Sequence, residues 1–443
     1  MRAPVVPWPD VNVDRRHFLN LAGGLTAGAI AAGTAFAANA ATTTPGATTA
    51  STPPLPAPAA SGIDHIVVVM MENRSFDHLT GWMPGATGMP SGLRYTDRYG
   101  FPHTPHHLAD FQGCGHPDPD HSYEGGRIEL NGGKCDGWLK AGENDDFSIG
   151  YYAQADLGFW GQAGPQWTVC DQYFAATLAE TYPNRIYMHA AQTDRLHNST
   201  ATATMPTIWD ELASAGVSGK YYFSDVPFLA LWGSKYLGIS HPYSDFLADC
   251  ASGSLPAVSF VDPRFEDESS GTSGDDHPHA DLRSGELFLN EVYHAVTTSP
   301  TWARTMLVIN YDEWGGFFDH VVPGTAADAT PTAGTGQRGF RVPSMVVSPR
   351  ARRGAVAHGT YDHTSVLKAI EWRFGLPALT PRDAGARNLA EVLDFASAPN
   401  PAAPTYTVPP FVAGPACAPV GPPAAEEWAP LKQKAVAEGW TLP

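Results

Sequence analysis

Residues 65–78 read HIVVVMMENRSFDH. Six apolar residues, Ile66 to Met71, run on without alternation. That is the pattern of a strand covered on both faces. The run stops at a carboxylate and an amide, Glu72 and Asn73, followed by Arg74, Ser75, Asp77 and His78. A second stretch repeats the device: TMLVINY (305–311) runs into Asp312 and Glu313. A third apolar run, VPSMVVSP (342–349), ends in an Arg cluster. The segments 279–299 (HADLRSGELFLNEVYHAVTTS) and 363–376 (HTSVLKAIEWRFGL) carry apolar residues at helical spacing. Strands alternating with helices predict an α/β fold, a mostly parallel central sheet with helices on both faces. Ligands bind outside the carboxyl ends of strands in such sheets, and both polar pairs fall there.

The chain has 443 residues and is 43% hydrophobic, enough for one large α/β domain. Its 27 Lys and Arg against 45 Asp and Glu leave a formal charge of −18, which argues against nucleic acid as a partner. Residues 14–20, DRRHFLN, set two arginines before a Gly/Ala-rich apolar stretch with small-residue cleavage sites. Residues 1–41 therefore read as a twin-arginine export signal, implying the export machinery as a partner and a secreted or envelope-associated location. Residues 42–61 read as a Thr/Pro/Ala linker, 62–400 as the catalytic domain and 401–443 as a Pro/Ala-rich tail packing on it. Residues 84–254, too aromatic for a linker, read as helices and loops capping the active edge of the sheet. Five cysteines (114, 135, 170, 250 and 417) allow up to two disulfides in an exported protein, with the pairing open.

Glu72, Asn73, Asp312 and Glu313 at neighbouring strand ends bring three carboxylates and an amide together. Unrelieved, the carboxylates repel one another and take up protons. A divalent cation resolves this, and oxygen ligands suit Ca, Mg or Mn, with Zn also accepting carboxylates. The competing reading of either pair is a helix cap or a pairing with a nearby arginine. Thr181, in AETYPNR (179–185), offers a hydroxyl that can attack phosphorus beside a cation. His121, His277 and His363 each have an acidic neighbour in sequence, and such imidazoles serve phosphoryl oxygens or a departing alkoxide. The aromatics Tyr151, Tyr152, Phe159, Trp160, Tyr221 and Tyr222 favour core packing over a site for acyl chains or a quaternary ammonium.

MENRSFDHLTGW, DPDHSYEG…NGGKCDGW, TYPNR, DDHPHADLRSGE, NYDEWGGFFDHV and YDHTSVLKAIEWRFGL occur in this order. Together they resemble the bacterial phosphoesterase family of nonspecific phospholipases C and related acid phosphatases, over about residues 62 to 376. The resemblance implies an alkaline-phosphatase-like fold and one divalent metal ion held by Glu72, Asn73, Asp312 and Glu313. It implies Thr181 as a nucleophile that passes through a phospho-enzyme. His121 and His277 match histidines around the phosphoryl group, with His277 as the leaving-group acid; Asn184, His279 and His363 are the substrate-binding candidates. Ala179–Glu180 departs from the Gly-Pro of many relatives, and a carboxylate there disfavours anionic substrates unless it points away. The expected activity is phospholipase C-type hydrolysis of the glycerol-side phosphoester of phospholipids, with transient membrane-surface contact. The alternative is an acid phosphatase using the same site. A catalytically dead binding protein is a third reading, opposed by the intact residue set. Extra C-terminal β-domains, carried by longer relatives, are not expected.

Overall fold

The computed structural model describes residues 54–330, 333–411, 416–418, 420 and 428–443. The export signal assigned to 1–41 and the linker as far as residue 53 lie outside the described residues.

The opening stretch forms β1 (His65–Met71), buried from Ile66 onward. Seven further strands complete its sheet: β2 (Thr168–Cys170), β3 (Gly219–Phe223), β4 (Ser240–Pro242), β5 (Val258–Val261), β6 (Thr305–Tyr311), β7 (Ser344–Val347) and β8 (Ala355–Ala357). The order is β8-β2-β7-β6-β1-β5-β3-β4. β1 lies inside, parallel to both β5 and β6. Val67, Val68 and Val69 have no exposed surface, and full burial contributes about 1.5–3 kcal/mol for each such side chain. Register then decides function. Met71 pairs with Tyr311, so Glu72 and Asp312 leave the sheet side by side.

Two expectations need correcting. The run at 342–349 is a strand, but β7 is antiparallel to β6 and β2. Its Arg cluster therefore leaves at the opposite edge, while Arg341, just before β7, stands at the edge of Glu72. An apolar run carries no sign of its direction. The stretch 84–254 is also more than a cap, because it supplies β2, β3 and β4 to the central sheet. These strands have only three to five residues, too few to show a period.

The helices that place functional groups are α1 (Phe76–Thr80), α2 (Tyr123–Leu130), α3 (Thr181–Ala190), α4 (Leu282–Thr298), α5 (His363–Phe374) and α6 (Trp428–Ala437). Ser75 caps α1, its hydroxyl accepting from His78 N at 3.3 Å and donating to Phe318 O at 2.6 Å. Asp281 and Asp362 cap α4 and α5, the two helices read from the sequence. α3 packs on α5. Among the described residues no helix is long and apolar enough to cross a membrane. The tail engages the domain at Pro401 O, which accepts from Trp302 Nε1 at 2.7 Å, and at Tyr406, which accepts from Trp167 Nε1 at 2.9 Å. Cys114 and Cys417 form a disulfide; Cys135, Cys170 and Cys250 are free and buried.

Candidate active site

The two strand ends are stitched together. Asp312 N donates to Met71 O at 3.1 Å. Asp312 Oδ1 accepts from Asn73 N at 3.0 Å and from Glu313 N at 2.7 Å. Asn73 sits at φ +58°, a left-handed conformation that asparagine tolerates better than most residues. Gly315, at φ +63°, packs so closely that a Cβ there would lie 2.0 Å from Asn73 O. The WGG turn after Glu313 therefore requires glycine at 315. Glu72, Asn73, Asp312 and Glu313 are all fully buried.

Arg185 stands among them. It lies one turn along α3 from Thr181, on the same face. Its guanidinium is 2.7 Å from Glu72 Oε1, 3.3 Å from Asp262 Oδ1 and 3.4 Å from Asp312 Oδ2. Burial alone would lower its pKa, but Glu72, Asp312 and Asp262 outweigh that and raise it. Burial raises the Asp312 pKa, against the pull of Arg185. Part of the compensating charge expected from a metal thus comes from the chain itself, and the arginine reading holds for Glu72. Glu72, Asp262 and Asp312 share that one guanidinium, three carboxylates to a single positive charge. The Asn73 side-chain oxygen also lies 3.2 Å from Asp312 Oδ1 and against Glu313 Oε1, oxygen facing oxygen. Either the amide turns its nitrogen to the carboxylates and its oxygen to His277 Nε2 at 3.3 Å, or a cation sits between them. The donor set fits a hard divalent ion.

Thr181 is the first residue of α3, and its Oγ1 lies 3.5 Å from the Asn73 side-chain amide. The loop before it is held by Asn184. Asn184 Nδ2 donates to Ala179 O at 2.7 Å and to Glu180 O at 3.1 Å, and Oδ1 accepts from Thr177 N at 2.9 Å. Asn184, expected to bind substrate, has its polar atoms engaged in shaping this loop instead. Glu180 points away from Thr181: Oε1 pairs with His197 Nδ1 at 2.9 Å and Oε2 accepts from Asn198 N. The objection to an anionic substrate is removed.

His277 faces this group from the loop between β5 and α4. Arg74 fixes that loop, donating to Asp276 O at 2.6 Å and His277 O at 3.1 Å. His277 Nε2 is 3.7 Å from Asp118 Oδ2 and 3.9 Å from Glu268 Oε2. The His121 ring lies 6.0 Å away, and its Nδ1 is 2.8 Å from Pro119 O. Ligand-type atoms of Asp118, His121 and His277 all lie within 4.8 Å of one another, as do those of Asp77, Asp319 and His320 and of His116, Asp145 and Asp146; of these three groups the first adjoins the site. Burial, then the His121, His279 and Arg74 charges, hold the His277 pKa well below the ordinary imidazole value. His279 adjoins His277 at 6.4 Å between rings, with Nε2 3.1 Å from His116 O. His363 is placed elsewhere: Nε2 lies 2.7 Å from Asp312 O and Nδ1 3.3 Å from Tyr173 OH. Burial pushes its pKa down to about 4. With both nitrogens engaged, His363 braces the Asp312 backbone.

Arg185, Asp262, Asp118 and Glu268 were not singled out by sequence reasoning. Arg185 was findable at four residues from Thr181, and Asp262 as one more carboxylate at a strand end. Asp118 stands three before His121, while Glu268 carries no signal.

The Phosphoesterase family profile matches residues 63–377. The chain belongs to the Phosphoesterase family. Phospholipase C B of Mycobacterium tuberculosis is 32% identical to it, over 78% of this chain and 80% of its own. Non-specific phospholipase C6 of Arabidopsis thaliana is 30% identical, over 76% of this chain and 74% of its own. A solved protein of the alkaline phosphatase superfamily from Vibrio parahaemolyticus superposes with a TM-score of 0.36 at 8% identity, over 73% of this chain and 69% of that one. Every site residue from Glu72 to His363 lies within the Phosphoesterase match, whereas Cys417 and α6 lie beyond it.

Proposed function

We propose that the chain is an exported phospholipase C-type phosphodiesterase whose Thr181 attacks the glycerol-side phosphoester of a phospholipid. The observation that carries this reading is the Thr181 hydroxyl, set at the positive end of α3 and against the Asn73 amide. The phospholipase C names of the relatives support the substrate class. Thr181 Oγ1 forms a bond to phosphorus, the bond to the glycerol oxygen breaks, and diacylglycerol leaves. Water then cleaves the phospho-threonine and releases the phosphorylated headgroup. His277 protonates the glycerol oxygen, and His121 holds a phosphoryl oxygen. The charge of a bound phosphoester opposes the burial that keeps His277 neutral, so His277 takes up a proton from solvent as substrate binds. The Thr181 hydroxyl proton is released to water on attack, and His277, neutral after protonating the glycerol oxygen, takes a proton from the water that cleaves the phospho-threonine. Asn73, Asp312 and Glu313, with Glu72 behind them on Arg185, would hold the divalent ion. Such an ion lowers the hydroxyl pKa and offsets phosphoryl charge. Thr181 is fully buried, so substrate entry requires the segments over it to open.

Export is supported by Arg15 and Arg16 before the apolar stretch and by the Cys114–Cys417 disulfide. Cell fractionation with Arg15 and Arg16 changed to lysine tests it, the protein being retained in the cytoplasm. For the activity, phosphatidylcholine, p-nitrophenylphosphorylcholine and p-nitrophenyl phosphate are compared with and without added Ca, Mg, Mn or Zn. Diester turnover that is lost in Thr181→Ala is expected. Turnover of the monoester alone replaces this reading with the acid phosphatase, and full activity of Thr181→Ala removes the nucleophile.

A further inference from the structure

Helix α6 lies beyond the family match, yet its first residue reaches the site from behind. Trp428 has no exposed surface. Its indole Nε1 donates to Glu268 Oε1 at 2.5 Å, and Glu268 Oε2 is the oxygen 3.9 Å from His277 Nε2. The indole also lies flat on Phe265, 3.8 Å between centroids at 5°. Both rings face the Arg185 guanidinium, at 4.6 Å for Phe265 and 5.6 Å for Trp428. A further contact, 5.6 Å between rings, is with Tyr182, next to Thr181. One side chain therefore meets the carboxylate beside His277, the arginine that holds Glu72 and Asp312, and the neighbour of the nucleophile. The segment before α6 is tied by Cys417 to Cys114, in the loop that leads to Asp118 and His121.

We propose that Trp428 is a positioning residue for the phosphoester reaction, holding Glu268 toward His277 and Arg185 against Glu72 and Asp312. This rests on the Thr181–His277 site proposed above. The physical basis is direct. A buried indole N–H needs an acceptor, and here it fixes one oxygen of Glu268 so that the other faces the imidazole. The stacked Phe265 and Trp428 rings also pack against the guanidinium, which limits its room to leave its three acidic partners. A helix outside the family match thus completes the site.

Trp428→Phe keeps a ring on Phe265 and removes the N–H. It is expected to lower kcat about tenfold, with KM within about twofold of wild type and an unchanged melting temperature. In a Glu268→Ala background the same change should lower kcat no further, because the two residues act as one unit. Wild-type kcat in Trp428→Phe, or losses that multiply in the double variant, overturns the proposal. Should Trp428→Phe not fold, Glu268→Gln keeps the indole's acceptor and removes the charge: a kcat loss of similar size supports the proposal, and full kcat overturns it. Wild type and Thr181→Ala are assayed alongside. If wild type cleaves no phosphoester, the functional reading falls and takes this one with it. If wild type is active through Thr181 and Trp428→Phe equals it, only the role of Trp428 falls.

Discussion

Arg341 and Arg185 are both buried guanidiniums set among carboxylates, and their surroundings differ in one respect. Around Arg341 the network closes. Asp77 accepts from Arg341 NH2 at 3.0 Å and from His320 N at 2.9 Å; Asp319 accepts from Arg341 Nε at 2.9 Å, Val321 N at 2.9 Å and Asp77 N at 3.2 Å. Both carboxylates have each oxygen met, and Arg341 reaches further to the carbonyls of Thr87 and Asp171. Around Arg185 the network stays open. Among the described residues Asp312 Oδ2 meets the guanidinium at 3.4 Å without a hydrogen bond, and Asp118 Oδ1 and His277 Nδ1 have no hydrogen-bond partner. A buried polar network that is complete rigidifies a fold, and one left incomplete carries a cost. The first cluster satisfies its carboxylates from within, while the second leaves acceptors over, as the ligand site proposed above requires.

The most severe way to test the contrast is Thr181→Ala, expected to cut kcat roughly thousandfold or more while leaving the thermal melt in place. Activity that survives would return the open cluster to architecture. Arg341→Met should do the opposite, stranding Asp77 and Asp319 and costing about 3–5 kcal/mol of stability, read as a lower urea midpoint. Arg185→Met leaves three carboxylates without a guanidinium. We expect a millimolar divalent cation to raise its melting temperature by several degrees and that of Arg341→Met hardly at all; equal gains would erase the distinction between the clusters.

A smaller effect concerns Glu286 on α4. Its Oε2 accepts from Phe159 N and, at 3.0 Å, from Trp160 N, and burial pushes its pKa up to about 8. The folded value lies above the unfolded one, so its stabilising contribution is complete below about pH 4.5 and is lost as pH rises toward 8. Glu286→Gln should flatten that decline, melting a few degrees above wild type at pH 8 and level with it near pH 5. Parallel melting curves across pH would show that Glu286 is ionised throughout.

The strand ends were legible because two local signals coincide there, an unbroken apolar run and a sudden polar pair, and because parallel sheets bind ligands at that edge. β3, with GKYYF, offers no such run, and the reversed β7 looks the same read in either direction. Arg185 lay within a quoted motif, yet its reach to three strand ends is a tertiary fact. Asn184 and His363 read as substrate contacts because nothing local reveals that backbone groups and, for His363, the Tyr173 hydroxyl already engage their polar atoms. The aromatics followed the packing reading: Tyr152, Phe159, Trp160, Tyr221 and Tyr222 are buried, with Tyr151 alone half-buried.

The Cys114–Cys417 bond spans 303 residues of sequence, which bears on the timing of maturation. Nearly the whole chain must be synthesised before the second thiol exists. A chain that folds in a reducing compartment has to bring the two sulfurs together by docking alone, through contacts such as Cys417 N to Ser270 O at 2.7 Å. On the export proposed above, the covalent link forms last and preserves an arrangement of the tail that weaker forces have already found.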